Sequence, residues 1–206
     1  MDLLAELRAR KVLAIIRADG PDTALACVRT LVDAGITALE ISLTTPGAVD
    51  AIAKARSEYD PAILIGAGTV ITAAQADEVA AARAGFVVTP AITRGAHRGV
   101  ELGLPVLCGA LTPTEIVAAL DLGATAVKIF PAKVYGPSYL REVRAPLPDA
   151  PLIAVGGVDA TTAPEYLAAG ALAVGVGSPL LGDAGTGGSL TDLAKRAAAF
   201  RTTLSV

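Results

Sequence analysis

The sequence predicts a (β/α)8 barrel with one additional N-terminal helix, forming a single domain over residues 1–206. Three observations predict it. Eight short runs along the chain are almost continuously apolar, as in parallel strands covered on both faces. Amphipathic stretches alternate with these runs, the pattern of repeated strand–helix units. Several of those stretches end in a glycine just ahead of the next strand, where a left-handed helix cap belongs. The rival architecture, an open doubly wound sheet, usually stops at about five or six strands. Eight units in one uninterrupted series fit the closed barrel, although a typical example runs to about 250 residues and this chain has 206.

Taken in order, the additional helix spans Asp2–Arg10 and is expected to close the bottom of the barrel. The strands are Val12–Arg17, Ala38–Leu43, Ile63–Thr69, Phe86–Pro90, Val106–Gly109, Ala126–Pro131, Leu152–Val158 and Ala171–Ser178. Helical stretches include Asp22–Ala34, Ala48–Tyr59, Ala73–Ala84, Thr93–Gly103 and Thr114–Leu122. Thr72, Thr93 and Thr112 are N-cap candidates, because a threonine oxygen accepts from the open N–H groups of a first turn. Pro113 suits a first helical position. Gly35, Gly85, Gly103, Gly123 and Gly170 are the expected left-handed caps.

Composition narrows the function classes. Seventeen Lys+Arg against twenty Asp+Glu leave a net charge of −3, which gives no general attraction to nucleic acid or an anionic membrane. A negatively charged substrate therefore needs a local site. Hydrophobic residues make up 53%, so a core is assured and disorder is excluded. The charge-free run Tyr166–Gly182 is interrupted by Gly170, Gly175, Gly177 and Pro179, which makes it a poor membrane-spanning helix. Cys27 and Cys108 lie far apart, and no basic-then-apolar leader precedes the first acids; the expected compartment is the cytoplasm. A single histidine, His97, argues against a zinc site, and no cofactor is expected.

In a barrel of this class the active site lies at the C-terminal ends of the strands. Two ionisable residues stand inside strands there. Side chains alternate along a strand, so Ala126, Lys128 and Phe130 face the lumen while Val127 and Ile129 face the helices. Of five lysines only Lys128 is forced into the apolar interior, where burial disfavours the ammonium form and leaves a nucleophilic amine. Such an amine condenses with a carbonyl to form a Schiff base. The competing reading is a lysine held by a buried ion pair, and Lys133 is the alternative nucleophile. Glu40 is the only acid inside a strand, and Ala38, Glu40 and Ser42 share the lumen face. It can shuttle protons or serve as counter-ion to Lys128. An ion pair without a task is a costly burial, which favours the first role.

The third element is an anion site. Barrels of this kind often bind phosphate with the loops after strands seven and eight. Here those loops read Gly156-Gly157 and Gly175-Val176-Gly177-Ser178, so backbone N–H groups and a hydroxyl can surround an anion. Neither Gly175-Val176-Gly177 nor Gly66-Ala67-Gly68 completes a dinucleotide fingerprint. His97 reads as a surface residue and Cys108 as a small buried one.

Together, the runs Val127-Lys128-Ile129-Phe130-Pro131-Ala132, Gly66-Ala67-Gly68-Thr69-Val70, Glu40-Ile41-Ser42-Leu43 and Gly156-Gly157-Val158 resemble the bacterial 2-keto-3-deoxy-6-phosphogluconate/6-phosphogalactonate aldolases. The resemblance covers essentially the whole chain. It implies a metal-free class I aldolase, usually trimeric. The implied reaction cleaves a phosphorylated 2-keto-3-deoxy sugar acid to pyruvate and glyceraldehyde 3-phosphate. Carried over by position, Lys128 becomes the Schiff-base lysine and Glu40 the proton-transferring carboxylate. Thr69 and Pro90 line the pyruvate pocket, Phe130 packs against it, and Gly156, Gly157, Gly177 and Ser178 hold the phosphate. Arg17 is an anion contact whose partner stays open.

Two departures matter. Gluconate-type members often carry an arginine four residues after the glutamate, where this chain has Thr44. Carboxylate binding then falls to Thr69, backbone N–H groups or Arg17. Such members also often have threonine before the paired glycines, where this chain has Val155. Both changes look closer to the galactonate branch. The other readings are a phosphate-binding isomerase or decarboxylase, and a non-catalytic barrel that binds a phosphorylated metabolite or serves as an assembly subunit.

Overall fold

In the computed structural model, which describes residues 2–206, eight parallel strands pair in chain order and close on themselves. They are β1 (Val12–Ile16), β2 (Ala38–Ser42), β3 (Leu64–Gly68), β4 (Val87–Val88), β5 (Val106–Ala110), β6 (Ala126–Ile129), β7 (Leu152–Val155) and β8 (Ala173–Val176). Closure is made by β1 against β8, with Leu13 opposite Gly175 and Ala14 opposite Val176. Helix α1 (Leu3–Arg10) precedes β1; α2 (Pro21–Asp33), α3 (Ala48–Glu58), α4 (Ala73–Ala81), α5 (Arg94–Glu101), α6 (Pro113–Asp121), α7 (Gly136–Arg144) and α8 (Ala163–Ala168) connect successive strands. The short α9 (Ser178–Leu181) and the long α10 (Leu190–Leu204) follow β8. The fold is a (β/α)8 barrel.

Seven strands are shorter than their apolar runs, whereas β5 extends one residue further, to Ala110, and the upper ends are informative. The run to Pro131 stops at Ile129, because proline has no N–H to extend the ladder. The run to Thr69 stops at Gly68, because Thr69 turns to φ +61°. The run to Val158 stops at Val155, because Gly156 and Gly157 adopt φ +97° and +77°. Residues that leave the ladder in this way are free to form a mouth.

The expected caps are in place at Thr72, Thr93 and Thr112, whose side chains accept from Gln75 N, Ala96 N and Glu115 N. Gly35, Gly103, Gly123 and Gly170 are left-handed as expected. Gly85 is not, which corrects the sequence reading. Arg83 takes the left-handed position after α4, and Gly85 lies two residues ahead of β4, tied to β3 by its N–H donating to Ile65 O at 2.8 Å.

Strand alternation sorts the core into two shells. Val12, Ala14, Ile16, Leu39, Ile41, Val127 and Ile129 pack outward with the apolar faces of the helices. Leu13, Ala38, Leu64, Phe86, Leu107, Ala126, Ile153 and Ala173 pack inside the barrel, in one buried cluster with Leu3 and Leu7 of α1. The additional helix thus closes the lower end. Among the described residues no helix is long and apolar enough to cross a membrane.

Candidate active site

At the upper end the lumen opens into a cavity of about 320 Å³. Its wall contains Arg17, Glu40, Thr69, Pro90, Lys128, Phe130, Val155, Gly156, Gly157, Gly177 and Ser178. The residues that the sequence assigned to catalysis and substrate binding therefore meet at one place. Ile15 and Pro179 also line it, and were missed. The signal for Ile15 was available, since it shares the face of β1 that points Leu13 inward.

Lys128 is 7% exposed and stands on β6, opposite Gly109 of β5 and Ile153 of β7. Its Nζ lies 5.2 Å from the centroid of the Phe130 ring, within reach of the ring face. The glycine at position 109 matters: a Cβ there would lie 2.1 Å from the Pro90 carbonyl carbon. Its absence lets the Pro90 backbone close in beside the lysine strand.

Glu40 is 1% exposed, opposite Gly66 in the β2–β3 register. Its Oε2 is buried without a hydrogen-bond partner among the described residues. Burial pushes the carboxyl above its ordinary range, and the positive charges of Lys128 and Arg17 pull partly against that. The Gly66-Ala67-Gly68 run makes this burial possible. A Cβ on Gly68 would lie 2.7 Å from Glu40 Oε1, and one on Gly66 would lie 2.5 Å from the Phe86 ring. These glycines make room for other side chains.

No ion pair among the described residues joins Glu40 to Lys128. The arrangement is an acid and an amine facing one cavity across a gap. Neither is neutralised by direct contact, which separates this site from a structural buried pair. A small molecule between them would meet a nucleophile on one side and a proton acceptor on the other.

The KDPG and KHG aldolase family model matches residues 3–188. The chain belongs to this family. It is 39% identical over 191 residues to the 2-dehydro-3-deoxy-6-phosphogalactonate aldolase of Escherichia coli, covering 92% of each chain. Among solved structures, one described as native KDPGal superposes with a TM-score of 0.88 at 38% identity, covering 94% of each chain. The KDPG aldolase of Legionella pneumophila, solved with pyruvate captured as a covalent carbinolamine, superposes with a TM-score of 0.83 at 28% identity. That match covers 98% of this chain and 97% of the other.

The rest of the cavity wall comes from residues at or just beyond the strand ends. Thr69 holds a left-handed backbone, an outlier for a β-branched residue that costs about 1–3 kcal/mol and is typical of functional positions. Gly156 and Gly157 are left-handed too; a Cβ on Gly156 would lie 3.0 Å from the Phe130 ring. Gly177 precedes Ser178, which opens α9, and the first N–H groups of a helix have no partner within it. Val155 faces the lumen in the inner cluster, with its methyls against the space beside Gly175.

Other candidates fall outside the cavity. Lys133 sits exposed on a single 3₁₀ turn, Ala132–Val134. His97 is exposed on α5. Cys108 packs outward towards the helices, and burial pushes its thiol up, away from reactivity. Burial likewise pushes Cys27 up to about 11. Among the described residues no group of three or more His, Cys, Asp or Glu gathers as a metal site would require.

Proposed function

We propose that this aldolase cleaves a 6-phosphorylated 2-keto-3-deoxy sugar acid of the gluconate/galactonate type, reversibly, to pyruvate and glyceraldehyde 3-phosphate through an imine on Lys128. The observation that carries the reading is Lys128 facing the buried Glu40 across one cavity, the two not joined in an ion pair with each other or with any other of the described residues. The likeness to 2-dehydro-3-deoxy-6-phosphogalactonate and KDPG aldolases supports the substrate class. A cavity of about 320 Å³ also suits a small metabolite.

The chemistry follows from those two groups. The Lys128 amine adds to the C2 carbonyl, and the carbinolamine loses water to give an iminium. Glu40 takes the proton of the C4 hydroxyl as the C3–C4 bond breaks. The electron pair of that bond flows into the iminium and leaves an enamine, while C4 departs as the aldehyde of glyceraldehyde 3-phosphate. Protonation of the enamine at C3 and hydrolysis of the imine release pyruvate and regenerate the lysine. The imine is itself the electron sink, so the reaction calls for no metal or cofactor. A carboxyl raised by burial is suited to both accepting and returning a proton.

Thr69, Pro90 and Phe130 line the pyruvate end. Gly156, Gly157, Gly177 and Ser178 take the phosphate, and Arg17 supplies an anion contact. Val155 stands where the C4 hydroxyl passes and leans the aldolase towards the galactonate epimer. The chain is one domain and assembles as a homotrimer. Exposed Val134 and Tyr135, just after β6, support the association. The compartment is the cytoplasm, in keeping with two free buried cysteines.

Pyruvate with borohydride should inactivate the enzyme and label Lys128. Peptide mapping checks this, and an adduct on Lys133, or none, overturns the assignment.

A further inference from the structure

Arg17 stands in the wall between two cavities. One is the site described above; the other, of about 280 Å³, is lined by Ala18, Asp19, Ser178, Leu181 and Thr186 on the β8 side. Swung one way, the guanidinium joins Ser178 and the phosphate loops. Swung the other, it joins β2 and β3 and the region of Thr69. The observed bonding decides between them.

Arg17 Nε donates to Thr44 Oγ1 at 3.1 Å. Thr44 Oγ1 is 2.9 Å from Ser42 Oγ, and Ser42 Oγ is 2.9 Å from Thr69 Oγ1. Two hydroxyls, those of Thr44 and Ser42, thus bridge Arg17, at the end of β1, to that of Thr69, at the end of β3. Ser42 at the centre is fully buried at 0% exposure, on the same face of β2 as Glu40. Thr69 keeps its left-handed backbone within this chain of bonds. With Nε occupied, the arginine still has its terminal nitrogens for a planar carboxylate.

The substrate presents two anions, a carboxylate beside the carbon that joins Lys128 and a phosphate at the far end. We propose that Ser42 and Thr44 are positioning residues that hold Arg17 and Thr69 together as a clamp on the C1 carboxylate, leaving the phosphate to the glycine loops. The inference rests on the imine reaction proposed above and names the carboxylate end of that same site.

The test uses pyruvate, which carries the carboxylate without the phosphate. Borohydride trapping is titrated against pyruvate for wild type, Thr44→Val, Ser42→Ala and Ser42→Thr. Thr44 is exposed at the rim, so its variant should fold even if Ser42→Ala does not. Thr44→Val and Ser42→Ala should need about 10-fold more pyruvate for half-maximal trapping, the scale of a hydrogen bond to a charged group. Trapping at saturation should be unchanged, and Ser42→Thr should behave as wild type. Inhibition of aldol cleavage by inorganic phosphate should stay within about 2-fold of wild type. Thr44→Val should add little once Arg17→Ala is present, because the two act through one interaction. Wild-type pyruvate dependence in Thr44→Val, or a loss confined to phosphate inhibition, overturns the clamp alone. No trapping in wild type overturns the imine reading and the clamp with it.

Discussion

The lower and upper halves of the lumen are built on the same strand faces, two residues apart, and differ in almost every physical respect. On β2 the inward side chain changes from Ala38 to Glu40, and on β6 from Ala126 to Lys128. The lower half is closed by α1 and filled by Leu13, Leu64, Phe86 and Leu107, all buried and apolar. Among the described residues, the upper half holds a carboxylate oxygen without a hydrogen-bond partner, an amine without an ion-pair partner, and glycines where side chains would otherwise fill the space. One half accumulates stability while the other gives some of it up to keep two reactive groups unpaired. The division teaches that a barrel of this size can carry a strained, desolvated site because a dry layer lies directly beneath it.

Glu40→Gln should separate the halves most sharply. Turnover should fall by roughly 10²–10⁴-fold, the scale of general acid–base catalysis, while pyruvate trapping on Lys128 survives. The same variant reports on stability. Because burial raises the folded-state carboxyl above its ordinary value of 4.5, the unfolded chain releases the proton first as pH rises. Wild-type stability should therefore decline from about pH 4.5 upward, until the folded carboxyl also ionises, relative to a variant that does not titrate. Thermal melts across pH check this; parallel curves for the two proteins, or normal turnover in the variant, would break the comparison.

Phe86→Ala probes the lower half. It should cost about 3–5 kcal/mol of stability, as large buried aromatic truncations do. The folded fraction should keep near-normal turnover, since Phe86 lies beneath the reacting groups. Denaturant unfolding and single-turnover rates at low temperature separate the two effects. A large loss in turnover per folded molecule would show that the layers are not independent.

The smallest effect is expected at the boundary, in Val155→Thr. A hydroxyl there can bond a substrate hydroxyl, whereas valine discriminates its placement weakly, by about 10²-fold at most. Wild type should cleave both C4 epimers with a lean to galactonate, and the threonine variant should move the kcat/KM ratio towards gluconate. A wild-type gluconate preference above about 10²-fold, or an unchanged ratio in the variant, would count against the reading.

Much of this was legible from local pattern. Alternation along a strand is a property of the backbone alone, so it put Glu40, Ser42, Lys128 and Phe130 on the lumen face without any knowledge of neighbours. Glycine and threonine punctuation marked most helix ends, and failed at Gly85 because Arg83 takes the left-handed position and Gly85 is already bonded to β3. The Gly66-Ala67-Gly68 run was visible but not its purpose, because the side chains that fill its space come from Glu40 and Phe86.

By itself, then, the sequence determined eight strand–helix units, a closed barrel, and which ionisable side chains enter its lumen. Tertiary structure alone decided that Glu40 and Lys128 face each other without pairing, that Gly109 admits Pro90, and that Arg17 reaches Thr69 through Thr44 and Ser42. The physical reason is range. Side-chain direction repeats every two residues along one strand, whereas contact across a lumen depends on the register of all eight strands, which only barrel closure sets.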